Sequence, residues 1–135
     1  MKNKSFLAFL FTLFALLIVM GGGIYSVYTR LDTDCDGYSF DVELEKDNLN
    51  LEPCQGELVK LMIENTGKED DIYRILLKGP TWVMVKPAAI KVDAGEKEEV
   101  SIYVSPPIDV KGQFKITVEI ESECSTEDKI ISVKV

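Results

Sequence analysis

Histidine is absent from this 135-residue sequence, and 23 acidic residues outnumber 15 basic ones, giving a net charge of −8. Without histidine, the chain lacks the commonest general base, the usual partner of a nucleophilic serine or cysteine, and the commonest zinc ligand. An acidic surface also repels the phosphates of nucleic acid. The composition therefore argues against a histidine-dependent enzyme and against a nucleic-acid-binding protein.

Charge is also missing from residues 5–29, an apolar run of 25 residues. At about 1.5 Å per helical residue, such a run reaches roughly 37 Å, enough to cross a bilayer with some tilt. Lys2 and Lys4 precede it, and Arg30 and three aspartates follow it. The positive-inside rule then predicts that residues 1–4 are cytoplasmic, that 5–29 form a transmembrane helix, and that the remainder is extracytoplasmic.

A cleaved signal peptide is the alternative interpretation of the same run. Phe6–Met20 has the length of a signal's apolar region, and Val19 and Gly21 flank a candidate cleavage point before Gly22. We favour the retained helix because apolar residues resume after the glycines and include tyrosines, which suit a membrane interface. Both interpretations export the rest of the chain.

From Tyr38 onward, apolar and polar residues alternate with a period of two, as in half-buried strands. Pro87 interrupts one of these segments, which therefore belongs at a sheet edge. Seven strands are predicted, at residues 38–44, 58–63, 72–77, 82–92 in two pieces, 100–104, 114–120 and 131–135. Short strands with turn signals roughly every ten residues are typical of an immunoglobulin-like sandwich, so we predict an all-β domain over residues 38–135.

Two further residue groups bear on this domain. Asn65 and Gly67 predict a tight turn, because both tolerate positive φ. Trp82 is interpreted as a side chain that fills the core rather than as a platform for a ligand.

Three segments resemble the immunoglobulin-like domains of archaeal cell-surface and S-layer-related proteins, and similar domains are associated with some alpha-galactosidases. The segments are "ENTGKEDDIY", "WVMVKPAAIKVDAGEKEEVSIYVSPP" and "KGQFKITVEI". The resemblance spans residues 38–135 and implies an exported module for adhesion, spacing or attachment. It implies no catalytic residue and no cofactor.

The three cysteines of an exported chain suggest one disulfide and one spare thiol. In the predicted sandwich, Cys35 precedes the first strand and Cys124 lies in the last loop, at the same end of the domain. Cys54 lies in the first loop, at the opposite end. The sequence therefore predicts a Cys35–Cys124 bond and a free Cys54. The bond closes a long loop, worth about 4 kcal/mol on the chain-entropy account.

Residues 30–37 are interpreted as an acidic stem. Asp32, Asp34 and Asp36, followed by Gly37 and Glu43, match the spelling of a calcium-binding loop. Such a loop needs its glutamate to fold back onto the ion, and Glu43 on a strand lies too far along the chain. A looser site made by the three aspartates is the alternative.

The two predicted ends of the sandwich differ in character. The loops at the stem end are acidic, whereas the loops at the opposite end are nearly neutral and rich in proline and apolar residues. Rigid prolines beside apolar side chains suit a contact surface, because binding costs little loop entropy. We therefore predict that a protein partner docks around Pro107, Ile108 and Val110 at the membrane-distal end, with Cys54 beside it.

Together these features predict a non-enzymatic, membrane-anchored interaction module of the cell envelope. The alternative is a structural subunit or spacer of a surface layer or filament, released by cleavage near Gly21. Paired carboxylates such as Glu98 and Glu99 do not favour catalysis, because neighbours on a strand point to opposite faces.

We expect the mature protein to keep its N-terminal helix. In that case, washing native membranes with alkaline carbonate should leave the protein in the pellet, since an inserted helix resists extraction. Recovery of a soluble protein whose N-terminus lies near Gly22 would instead establish the signal-peptide alternative.

Overall fold

The computed structural model describes residues 34–135, which form nine β-strands in two sheets after one short 3-10 turn. No α-helix occurs among these residues, and none of their segments is a helix fit to span a membrane. The predicted helix at 5–29 lies outside the described part. The elements are the turn Cys35–Gly37 and the strands β1 (Phe40–Leu44), β2 (Asn48–Asn50), β3 (Glu57–Asn65), β4 (Asp71–Lys78), β5 (Val83–Lys86), β6 (Ala89–Val92), β7 (Lys97–Val104), β8 (Gln113–Glu121) and β9 (Thr126–Lys134).

The two sheets pack face to face as an immunoglobulin-like sandwich, which confirms the predicted all-β fold of the domain that follows residue 37. One sheet has four strands in the order β1-β3-β7-β5, and the other has five in the order β2-β9-β8-β4-β6. All paired strands are antiparallel except β2 and β9, which are parallel.

Alternation along the strands builds the core. On β8, Ile116, Val118 and Ile120 point inward, and their polar neighbours point outward. The facing sheet contributes Val59, Leu61 and Ile63 from β3 and matching residues from β7, all removed from solvent. Because stacked sheets lie about 10 Å apart, these side chains interdigitate and exclude water, which is the main source of stability. Trp82 packs against this core with its ring edge-on to Phe114, at a centroid distance of 5.3 Å, as predicted.

The predicted count of seven strands is wrong, for two reasons. The segment 48–50 was missed because it offers only one buried side chain, Leu49, within a polar stretch; it pairs with β9. The interrupted segment 82–92 is not one strand but two. β5 pairs with β7 in one sheet, and after Pro87 the chain crosses to pair β6 with β4 in the other. Both β5 and β6 are edge strands, so the inference drawn from Pro87 holds.

Tyr73 on β4 is the largest fully buried side chain of the described residues. Its ring packs on Phe40 at a centroid distance of 4.9 Å, and its hydroxyl has no hydrogen-bond partner among the described residues. Burial, reinforced by the negative charge of Asp71, raises the pKa of Tyr73 to about 12. Folding therefore favours the neutral phenol.

A Tyr73→Phe variant should be as stable as the parent at pH 7, or more stable by up to about 1 kcal/mol, because it removes a buried hydroxyl that lacks a partner. Because the pKa of Tyr73 is higher in the folded than in the unfolded protein, the free energy of unfolding is unaffected by Tyr73 ionisation below pH 10 and falls as the pH rises toward 12. Denaturant unfolding from pH 8 to 12 should therefore show a smaller alkaline loss of stability for the variant. Tyr103→Phe, at an exposed position, is the control and should follow the parent. A loss above 1 kcal/mol at pH 7 in Tyr73→Phe would mean that the hydroxyl is bonded in solution.

Candidate functional site

The loops gather at two ends of the sandwich, as predicted from the strand order. One end, called here the stem end, holds the turn Cys35–Gly37 and the loops 66–70, 93–96 and 122–125, which are joined by a disulfide and by hydrogen bonds. The far end holds the loops 51–56, 79–82 and 105–112, which hydrogen-bond to one another through Cys54 to Pro106 and Ser105 to Trp82.

A disulfide joins Cys35 to Cys124 at the stem end, with the two Cα atoms 5.7 Å apart. The predicted pairing is therefore confirmed. The bond fastens the residues before β1 to the loop between β8 and β9, across a sequence separation of 89 residues. Cys54 forms no disulfide, and its side chain is exposed at the far end.

The side chain of Asn65 ties together the loops of the stem end. Asn65 is 1% exposed; its Nδ2 donates to the carbonyls of Glu69 and Val92 at 2.9 and 3.0 Å, and its Oδ1 accepts from the N–H of Gly67 at 3.0 Å. Its backbone adds two bonds to the loop 93–96, one to Glu96 and one from Gly95. One amide thus satisfies backbone groups that burial would otherwise leave unpaired.

Gly67 has a different role from the one inferred from sequence. Positive φ occurs at Cys54, Gly95 and Gly112, but not at Asn65 or Gly67. Glycine is needed at position 67 because a Cβ there would lie 2.4 Å from the backbone oxygen of Gly37. That close approach allows Lys68 N–H to donate to Gly37 at 2.8 Å.

The stem end is acidic, and some of its carboxylates are bound within the domain. Asp71 is buried and accepts from the N–H groups of Ile72 and Glu123 at 2.7 and 3.3 Å. Lys91 bridges Asp70 and Asp93 at 2.9 and 2.8 Å. These bonds lower the pKa of Asp70 and raise the pKa of Lys91.

The calcium-loop pattern does not assemble here. Glu43 lies on β1, so it does not fold back toward Gly37. Asp34 and Asp36 are described, and Asp32 lies outside the described residues. Within residues 34–135, no three acidic or cysteine side chains come together closely enough to hold a metal ion.

The residues predicted to bind a partner form an exposed turn at the far end. Pro107 accepts a hydrogen bond from the N–H of Val110 at 3.2 Å, which closes the turn and leaves Ile108 75% exposed at its tip. Val110 is half-buried, whereas Pro107 is exposed. The neighbouring Pro106 is buried and accepts from the N–H of Cys54 at 3.0 Å, so the free cysteine lies next to the turn.

A second apolar feature, which the sequence analysis missed, lies on the outer face of the four-stranded sheet near the far end. Leu58 and Met84 both pair with Tyr103, so the three side chains form one row across β3, β7 and β5. They are 40%, 62% and 44% exposed, in the order Leu58, Met84, Tyr103. Each residue looks unremarkable within its own strand, and only the register brings the three together. We call them the apolar row.

No protein-family model matches the chain, and no curated protein sequence matches it. Solved structures do show the same fold. The ASH/PapD-like domain 7 of human CEP192 superposes with a TM-score of 0.56 at 16% identity, covering 69% of this chain and 83% of that chain. A FixG-related protein from Vibrio parahaemolyticus gives 0.54 at 14% identity, covering 73% and 96%.

Two other matches come from larger assemblies. The CsuC–CsuE chaperone–tip adhesion subunit complex of Acinetobacter baumannii pili gives a TM-score of 0.52 at 14% identity, covering 70% of this chain and 56% of that chain. A family 123 glycoside hydrolase from Clostridium perfringens gives 0.63 at 6% identity, but this chain spans only 27% of that enzyme. At these identities the likeness establishes the fold, an immunoglobulin-like β-sandwich.

Replacing Asn65 with Ala should destabilise the domain by roughly 2–3 kcal/mol, because the buried carbonyl of Val92 and the partly buried carbonyl of Glu69 lose their donor. Thermal unfolding should shift down by about 10 °C or more for a domain of this size. Asn50→Ala, at an exposed position, is the matched control and should shift the transition little. Equal shifts in the two variants would show that Asn65 does not hold the stem end together.

Proposed function

We propose that this chain is a membrane-anchored, non-enzymatic interaction module of the cell envelope, whose far end binds a protein partner. The helix at 5–29 provides the anchor, and the sandwich carries the contact surface outside the membrane. The likeness of three segments to archaeal cell-surface domains supports the envelope location, and the fold shared with a pilus chaperone complex supports protein binding.

The observation that carries this proposal is the 75% exposure of Ile108, on a turn that begins with two consecutive prolines. A large aliphatic side chain held out in water gains free energy when a partner covers it, at about 25 cal/mol for each Å² buried. The turn is already ordered by the Val110–Pro107 hydrogen bond, so little conformational entropy is lost on binding.

The apolar row enlarges this candidate surface. Its three side chains lie near the same end of the sandwich, and two of them, Met84 and Tyr103, are of types enriched in protein interfaces. The stem end offers a contrast, because its exposed side chains are mainly acidic.

A structural subunit of a surface layer or filament is the second candidate function, and the exposed apolar row is the observation that favours it. A subunit would be cleaved near Gly21 and would self-associate. The mature N-terminus and the sedimentation behaviour of the purified protein distinguish the two candidates.

The test begins with crosslinking and affinity capture from native membranes, followed by pairwise binding measurements on the identified partner. Ile108→Asp should weaken that binding at least tenfold, because it places a charge in the buried centre of the contact. Ile72→Asp is the matched control, since Ile72 is 57% exposed but lies on the other sheet near the stem end; it should bind like the parent. Val110 is left unchanged because it is half-buried.

Both variants should keep the thermal transition of the parent, since both positions are exposed. If Ile108→Asp binds normally while a Tyr103→Glu variant does not, the apolar row rather than the turn is the contact. If binding is lost only when the acidic stem-end loops are neutralised, the partner docks at the opposite end and the proposal is wrong.

A further inference from the structure

An open concavity of about 550 Å³ lies on the outer face of the five-stranded sheet, near the far end. This volume falls within the roughly 300–1,000 Å³ of small-ligand sites. We call it the lysine groove. Its polar lining comes from three neighbouring strands and consists of Asn48, Asn50, Gln113, Lys115, Ser132 and Lys134.

The strand register arranges these side chains in two rows. Ser132 lies opposite both Asn48 and Lys115, and Lys134 lies opposite both Asn50 and Gln113. Because the rows are two residues apart along each strand, all six side chains share one face. Lys115 and Lys134 are diagonal neighbours on adjacent strands, a relation in which the two residues lie about 7–8 Å apart at the backbone. Both ammonium groups can therefore reach one ligand.

One flank of the lysine groove is bordered by Gly79, which follows the end of β4 at Lys78 and lies beside the Lys115 backbone without a side chain of its own. Gln113 and Lys115 therefore have no β4 neighbour, and both are exposed. On the other flank, β2 is the edge strand of the sheet. An extended ligand can enter from either side.

The two lysines of the groove are free of ion pairs within the described residues. The salt bridges between residues 34 and 135 use Lys46, Lys60, Lys78, Lys91, Lys97 and Lys129. In a chain whose net charge is −8, two adjacent lysines without an acidic partner form a local positive site. Asp47 borders the groove, and its carboxylate accepts a hydrogen bond from Asn48 at 2.8 Å.

The chemistry of the lining specifies the ligand. Amide and hydroxyl side chains both donate and accept hydrogen bonds, as do the hydroxyl groups of a sugar, whereas lysines bind carboxylate or sulfate. Leu49, Phe114 and Val133 also line the groove, but they belong to the core side of the sheet, and the ring of Phe114 packs edge-on to Trp82. The outward-pointing side chains therefore hold the ligand mainly by charge and hydrogen bonds.

We propose that the lysine groove binds an anionic glycan, a chain of sugars that carry carboxylate or sulfate groups. A nucleic acid is disfavoured, because Phe114, the one aromatic residue of the lining, packs its ring on Trp82 and presents no face on which a base could stack. The site is separate from Ile108 and from the apolar row, so it adds a second binding activity to the module and does not depend on the protein partner.

The test uses the full chain in detergent micelles and isothermal titration calorimetry at low ionic strength. The probes are a trimer of galacturonic acid, a sulfated galactose trimer, the uncharged galactose trimer and a hexaglutamate peptide. We expect saturable binding of one or both charged trimers in the millimolar range or tighter, weakening as salt is added. The uncharged trimer should bind at least tenfold more weakly, and comparing the two charged trimers shows which acidic group is preferred.

The double variant Lys115→Gln/Lys134→Gln should lose at least tenfold in affinity. Lys68→Gln/Lys86→Gln removes the same charge from two other exposed lysines without ion pairs, and it should bind within twofold of the parent. Ile108→Asp should also bind the trimer normally, which separates this site from the protein contact. Equal losses in the two lysine double variants, no saturable binding of either charged trimer, or tighter binding of hexaglutamate would each overturn the proposal.

Discussion

The buried amide of Asn65 links the two sheets of the sandwich at the stem end. Asn65 ends β3 in the four-stranded sheet, and Val92, which accepts one of its hydrogen bonds, ends β6 in the five-stranded sheet. Apolar contacts hold the sheets together but do not by themselves dictate how loops meet, because the hydrophobic effect is not directional. The side chain of Asn65 fixes the loop 66–70 and the end of β6, and its backbone N–H and carbonyl bond to the loop 93–96, so one residue determines how the two loops meet. The loop 66–70 also holds the turn Cys35–Gly37 through the hydrogen bond from Lys68 N–H to Gly37, so the position of the disulfide-bonded turn depends on Asn65 as well.

The two ends of the domain present different chemistry at the surface. The stem end concentrates acidic side chains, several of which are bound by Lys91 or by backbone N–H groups. The far end has an exposed isoleucine turn, a cross-strand row of apolar side chains and a groove with two lysines. For the apolar row and the lysine groove, alternation along a strand places each residue on the outer face and strand pairing supplies its neighbours. These two features are therefore properties of the sheets, whereas the Ile108 turn belongs to a single loop.

The sequence was sufficient for the fold class, for the ends at which loops meet and for the cysteine pairing, because period-two alternation and strand order determine all three. The same alternation does not reveal which edge strand joins which sheet. The crossing at Pro87 and the short strand at Asn48–Asn50 follow from long-range pairing that no local pattern reports. For the same reason, the apolar row and the lysine groove were not predicted, since their members lie far apart in the chain. Glycine at position 67 was anticipated, but for a conformational reason rather than for the close approach that requires it.

The disulfide also determines how the domain responds to mechanical tension. A pull on the residues before Cys35 reaches Cys124 through a covalent bond and enters the loop between β8 and β9, which pair along nine residues each. Without that bond, the same pull would first reach β1, a five-residue edge strand that is held in its sheet only by its pairing with β3. With the bond in place, tension toward a contact at the far end runs along the long central strands. The pairing of β1 then carries none of this load, so reducing one covalent bond transfers the tension from the backbone of β8 to the hydrogen bonds between β1 and β3.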